Sequence, residues 1–203
     1  MFQAKKPLFA LAKIDWKKNI FYFYKDKSLW KLPILGGGQL QNAELVYHLC
    51  RYLKINERQI QQGFAKLKIS CRFEVIAKNE KIWIFDGAHN PPAIQNLIEF
   101  YEQSPWYRKT ALVCGFMRDK DFAQMLKLVA PHFTEIFLTL PPNDRAANIE
   151  SLSRYLERRP NVSFYTRPTA ALKAAQRKHQ TILVSGSFYL AAYLLTRIGA
   201  RKD

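Results

Sequence analysis

Acidic side chains are scarce in this sequence. Its 203 residues hold 16 Asp and Glu against 32 Lys and Arg, a formal net charge of +16. Such an excess suits a nucleic-acid or acidic-lipid partner, small polyanionic ligands, or an acidic partner domain. The basic residues are scattered, however. Their densest groups are the pairs Lys5–Lys6, Lys17–Lys18, Arg158–Arg159 and Arg201–Lys202, and no run of five like charges occurs. A solvated basic surface is the simplest reading, and it disfavours nucleic acid as the main partner. Cysteine is rare too. Cys50, Cys71 and Cys114 are widely spaced, with no CxxC and no other metal-ligand pattern. Separate reduced thiols in a cytoplasmic protein without a metal site of its own are therefore expected. No apolar run reaches the ~18 residues of a membrane helix, so no membrane partner is expected. The opening stretch, MFQAKKPLFALAKIDWKK, lacks the apolar core and small-residue cleavage site of a signal peptide. No GxxxxGK[ST] occurs, so no loop of that kind can wrap a nucleotide's β- and γ-phosphates in backbone amides and a lysine.

What is present is enough for a core. Apolar residues make up 48% and charged residues 24%, the balance of a folded globular chain. Two textures divide it. Residues 1–69 read as a short β-hairpin, Ile20–Tyr24 and Leu29–Ile34 about the turn KDKS, followed by two helices. The first, Gln39–Leu53, carries Leu45, Leu49, Tyr52 and Leu53 at helical spacing. The second, Glu57–Leu67, starts after Asn56 as its N-cap. Residues 70–203 alternate regularly. Strands are expected at Phe73–Ala77, Ile82–Phe85, Thr110–Cys114, Glu135–Thr139, Val162–Tyr165 and Thr181–Val184. Helices are expected at Pro92–Gln103, Asp119–Ala130, Asn148–Arg158, Thr169–Arg177 and Ser187–Ile198. Ile94, Leu97, Ile98 and Tyr101 form one apolar stripe, and Phe122, Met125, Leu126 and Val129 another. The pattern predicts an α/β fold: a Rossmann-like, mostly parallel sheet with helices on both faces, preceded by the hairpin and its helices. Ligands of such sheets bind where strands end and helices begin.

One post-strand loop stands out. Asp86-Gly87-Ala88-His89-Asn90-Pro91-Pro92 follows the apolar strand IWIF. An aspartate there faces the ligand crevice, Gly87 permits a tight turn, and Pro92 can begin the next helix. A carboxylate and an imidazole three residues apart can address one ligand together. A turn capped by Asp and Asn is the alternative.

DGAHNP resembles the signature of the C-terminal domain of folylpolyglutamate and dihydrofolate synthases, members of the Mur ligase superfamily. Four further segments resemble that family in its order: LPILGGGQLQNA (Leu32–Ala43), CRFEVI (Cys71–Ile76), VCGFMRDKDF (Val113–Phe122) and VSGSFYLAAYLL (Val184–Leu195). The resemblance implies a Mur ligase C-terminal (glutamate ligase) domain at 70–203, with 1–69 as the tail of the central ATPase domain. It implies an ATP-dependent ligase that activates a folate or dihydropteroate carboxylate as an acyl phosphate, from which the amine of L-glutamate displaces phosphate. ATP and Mg²⁺ are implied, with the metal ligands and the P-loop in an N-terminal ATPase half, here absent or separate. No catalytic residue is assigned within this chain.

Residue by residue, Asn42 falls at the family's adenine contact, and its amide both donates and accepts as a purine edge requires. Arg72 falls at an arginine that reaches ATP phosphates, for which a planar guanidinium is suited. Asp86 would accept from the ribose hydroxyls, and His89 would line the same pocket. Arg118 and Lys120 could meet a carboxylate of glutamate. Ser185 and Ser187 sit at the last strand-to-helix turn, where hydroxyls and helix N–H groups favour an anion. Asp119 reads as the cap of the helix that follows, and N-capping is the alternative for the serines. The chain departs from the family at Gly38, where the family has histidine, implying a lost nucleotide-side contact. It departs again at Cys71, where the family has glycine, implying a changed backbone. A truncated sheet would expose an unpaired edge. Two other functions remain open: a non-catalytic nucleotide- or folate-binding module, and a basic nucleic-acid binder.

Overall fold

The fold is described from a computed structural model for residues 7–148 and 161–199. The chain divides into two compact units, Met1–Ile69 and Ser70–Asp203.

The first unit is a three-stranded antiparallel sheet in the order β1-β2-β3 (Phe9–Asp15, Ile20–Lys25, Ser28–Leu32) with helices α1 (Gln39–Tyr52) and α2 (Glu57–Ala65). The hairpin expected from sequence is β2–β3. Its turn is tighter than the KDKS reading, with Lys25 paired to Ser28 and Asp26 left-handed (φ 52°). Strand β1 was not expected. Its register slips between Leu11 and Lys13, and such a bulge erases the period-2 signal by which a strand is read. The core is aromatic. Phe9, Phe23, Trp30, Tyr47 and Phe64 meet with ring centroids 4.6 to 6.3 Å apart. Lys25 is buried beside them and bonds Asp26 (2.7 Å) and Glu57 (3.0 Å). These hydrogen bonds, Asp26 first, hold its ammonium above the usual lysine range against the opposing effect of burial. Asn56 caps α2 as expected, accepting from the Gln59 N–H.

Helix α1 is turned the other way from its most regular stripe. It buries Ala43 and Tyr47, while Leu45, Leu49, Tyr52 and Leu53 are 56 to 83% exposed.

The second unit is a six-stranded sheet in the order β4-β5-β9-β6-β7-β8. Its strands are β4 (Glu74–Lys78), β5 (Lys81–Phe85), β6 (Thr110–Cys114), β7 (Ile136–Thr139), β8 (Val162–Tyr165) and β9 (Thr181–Ser185). All pairs are parallel except β4–β5. That antiparallel pair turns through Asn79 and Glu80, both left-handed (φ 52° and 60°), as a two-residue hairpin demands. The helices are α3 (Pro91–Tyr101), α4 (Phe122–Val129), α5 (Pro168–Lys178) and α6 (Phe188–Arg197). Helix α3 begins one residue before the proline expected to start it. The helix expected from Asn148 to Arg158 lies, beyond residue 148, outside the described residues.

Side-chain alternation splits the sheet between two helical layers. Trp83, Phe85, Val113, Phe137, Ile182 and Val184 join one cluster with Leu172 of α5 and Leu190 and Leu194 of α6. The alternate residues Ile84, Leu112, Leu138 and Leu183 are fully buried on the other face. Helices α3 and α4 pack together. They bury Ile94, Leu97, Ile98, Tyr101, Met125, Leu126 and Val129, and cover that second face.

Candidate functional site at the carboxyl edge of the parallel sheet

Strand β9 is last in sequence but lies between β5 and β6. The chain leaves β5 and β6 for α3 and α4 on one face, and leaves β9 for α6 on the other. Neighbouring strands that hand off to opposite faces open a crevice at their carboxyl ends. Three loops border it: residues 86–90, 115–121 and 186–187. The Asp86 N–H donates to Val184 O (3.0 Å) and the Gly115 N–H to Ser185 O (3.4 Å), lacing the three strand ends together. A Cβ on Gly186 (φ 91°) would lie 2.8 Å from both Gly115 O and the Phe116 ring, so only glycine permits that approach.

In the β5 loop, Asp86 organises backbone. One carboxylate oxygen accepts from the Phe73 N–H (2.9 Å) and the other from the Ala88 N–H (2.8 Å). Burial pushes its carboxyl up, and these two bonds, with the charges of Arg72 and His89, oppose that. Each oxygen keeps a second lone pair, so further acceptance is chemically open. The Gly87 N–H donates to Cys71 O (2.8 Å), so the loop and the segment before β4 are pinned from both sides. Arg72 lies in that segment, half-buried, and its guanidinium makes no ion pair or hydrogen bond among the described residues. Cys71 keeps φ 57°, the left-handed conformation that glycine takes freely, so the implied backbone change is absent and cysteine bears the strain. The His89 Nδ1 lies 2.9 Å from Gly87 O. Its donation there would leave Nε2 free as an acceptor. Asn90 caps α3 by accepting from the Ala93 N–H.

In the β6 loop, Arg118 is exposed and its N–H donates to Arg145 O (2.8 Å). Lys120 is half-exposed and pairs with Asp119 (3.1 Å). The cap of α4 is Asp121, which accepts from the Gln124 N–H, and not Asp119 as expected. The turn closed by the Lys120 N–H on Met117 O takes up residues 117–120, so the helix starts later.

Ser185 and Ser187 are about 1% exposed, and neither hydroxyl has a hydrogen-bond partner among the described residues. Ser187 holds the N-cap position of α6 yet makes no side-chain cap bond, so the ordinary capping role is not realised. A buried hydroxyl left unpaired costs ~1–3 kcal/mol, and two of them at a helix N-terminus make a polar, anion-favouring lining. Sequence reading missed two neighbours. Thr139, last in β7, has a third unpartnered buried hydroxyl. Phe188 is 44% exposed and lies over Gly87, where a Cβ would come within 2.4 Å of its ring. The SGSFY run was the signal for Phe188; a strand-final threonine gave none for Thr139.

Asn42 belongs to the other unit. It is exposed in the first turn of α1, and its N–H donates to Gly38 O (2.9 Å). Gly38 is left-handed (φ 78°), with open space where a side chain would stand. Among the described residues no group of three His, Cys, Asp or Glu could hold a metal ion, so the donor set does not fit Mg²⁺. No helix among them is long and apolar enough to cross a membrane.

A mixed sheet with a switch point at β9 and three polar loops on its carboxyl edge defines an α/β ligand-binding domain. Residues 71–188 match the family model for the Mur ligase, glutamate ligase domain, and the chain belongs to that family. It is 28% identical over 186 residues to the folylpolyglutamate synthase of Lacticaseibacillus casei, covering 87% of this chain and 42% of the relative. It is 27% identical to the Escherichia coli dihydrofolate synthase/folylpolyglutamate synthase, over 74% of this chain and 36% of the relative. The solved structure of E. coli FolC in complex with DHPP and ADP superposes with a TM-score of 0.72 at 25% identity. That match covers 97% of this chain and 47% of the other. The chain thus spans less than half the length of these relatives.

Proposed function

We propose that this chain supplies the adenosine and glutamate sides of an ATP-dependent folate–glutamate ligase. The carrying observation is the pair of buried, unpartnered hydroxyls of Ser185 and Ser187 at the head of α6, between the Asp86 and Arg118 loops. Membership of the glutamate ligase domain family supports it, as does a relative solved with ADP and DHPP. In this reading Arg72 neutralises phosphate oxygens and Asn42 meets the adenine edge. Asp86 holds the 86–90 loop and accepts from the ribose with its remaining lone pairs, and His89 lines that pocket. Ser185, Ser187, Arg118 and Lys120 receive the carboxylates of L-glutamate, with Lys120 exchanging Asp119 for the ligand. The chemistry consists of placing an amine beside an activated folate or dihydropteroate carboxylate and neutralising charge. Residues 1–69 are read as the end of an ATPase domain. The P-loop and the Mg²⁺ ligands belong to the part of the relatives that this chain does not span, and the setting is cytoplasmic.

The test is a chimera of the L. casei enzyme whose matched segment is replaced by the full 203-residue chain. ATP-dependent addition of glutamate to a folate is expected. Ser187→Ala should raise KM for glutamate about tenfold, and Arg72→Ala should act on the KM for ATP. Turnover by the 203-residue chain alone would overturn the division of labour. A chimera that binds ADP but adds no glutamate would favour a non-catalytic binding module.

A further inference from the structure

Helix α1 carries an apolar face with nothing over it in its own unit. Leu45, Leu49, Tyr52 and Leu53 are 71, 56, 83 and 60% exposed, and Val46 is 45% exposed. At about 100° per residue these five side chains fall within an arc of roughly 120°. Asn42 lies within the same arc at the helix's start. The arc is turned away from Ala43 and Tyr47, which bury α1 against the aromatic core. His48 and Arg51 flank it on one side, and Lys54 follows at its end, all exposed. A contiguous apolar patch with a polar rim marks a surface that another protein covers.

We propose that this stripe seats the nucleotide-binding half of the ligase, the counterpart of the length that the relatives have and this chain does not span. That half would come from the same polypeptide or another. The inference rests on the proposed function, and three observations select this occupant. The chain is covered to 97% by a solved relative while covering 47% of it, so a body of similar size adjoins the equivalent region there. The stripe runs directly on from Asn42, so whatever covers it also closes over the adenine contact proposed there. The rim is basic on a chain of net charge +16, which favours an acidic-rimmed partner. A second copy would set His48, Arg51 and Lys54 against their like.

Thiol alkylation tests the proposal. A Leu49→Cys variant is compared in the 203-residue chain and in the L. casei chimera, with Lys31→Cys on the exposed strand β3 as control. Position 49 is expected to react freely in the chain alone and about tenfold more slowly in the chimera. Position 31 should react at equal rates in both. Equal rates at position 49 would overturn the proposal, as would protection in the chain alone accompanied by a doubled mass in sedimentation, which would assign the stripe to a second copy. Protection at position 49 with glutamate kinetics indifferent to Ser187→Ala would keep the docking surface and remove the ligand assignments. The reverse pattern would do the opposite.

Discussion

The two units treat the same sequence signal in opposite ways. In the α/β unit, the stripe Ile94, Leu97, Ile98 and Tyr101 is buried to within 4% exposure against the sheet. In the hairpin unit, the equally regular stripe Leu45, Leu49, Tyr52 and Leu53 faces solvent, and the helix packs through Ala43 and Tyr47 instead. The six-stranded sheet has two faces to cover and helices for both. The three-stranded sheet fills its single core with five aromatic rings, which leaves no room for the leucines of α1. Periodicity therefore identifies an apolar helix face but not what that face meets.

Four measurements test this contrast, and all are read by urea or thermal unfolding of the chain. Leu97→Lys puts an unpaired charge in a full core and is expected to cost ~3–5 kcal/mol. Leu49→Lys, on an exposed stripe, should stay within about 0.5 kcal/mol. Comparable losses at both sites would erase the distinction. The left-handed glycines separate next. Gly186→Ala adds a clash with Gly115 O and the Phe116 ring to the backbone penalty, for ~2–4 kcal/mol. Gly38→Ala meets open space and should cost only the conformational ~1–2 kcal/mol.

The two helix caps should move stability in opposite directions. Asn56→Ala loses a cap bond of 2.9 Å and is expected to cost ~1 kcal/mol. Ser187→Ala removes an unpartnered buried hydroxyl and is expected to gain ~1 kcal/mol while impairing glutamate use. A loss at Ser187 would show that its hydroxyl is structural. The smallest effect concerns acid stability. Burial opposes ionisation of Glu135, but hydrogen bonds and charge from Lys178 (2.6 Å) and His179 (2.8 Å) outweigh it and hold the carboxyl below its ordinary value. A carboxyl so depressed contributes stability that is present above the unfolded value and lost as pH falls through the folded one. Glu135→Gln should therefore flatten the acid limb of stability against pH, leaving a smaller fall below about pH 5. Asp86 carries the opposite sign. Its raised carboxyl favours the fold below the ordinary value of 3.8, and that contribution is lost as pH rises.

Much of this molecule was legible in its residues. Strands β6 and β8 and the stripes of α3 and α4 stood where spacing put them, because buried apolar runs in a parallel sheet leave little ambiguity. Strand β1 was not legible, since its bulge breaks alternation and its identity depends on pairing with β2. Nor was the choice between Asp119 and Asp121 as the cap of α4. Both have the right chemistry, and the turn at Met117–Lys120 decides between them.

The sequence alone determined the class of fold and the residues from which a site could be assembled. Periodicity and turn chemistry are local properties, and the ordered motifs carried the family. Tertiary structure alone decided which of those residues meet. The insertion of β9 between β5 and β6 brings loops about 100 residues apart in the chain to one crevice, an arrangement set by long-range strand pairing and invisible to local pattern. Burial likewise left Ser185 and Ser187 without partners and α1 with its leucines outward, because each outcome depends on what surrounds a side chain rather than on the side chain itself.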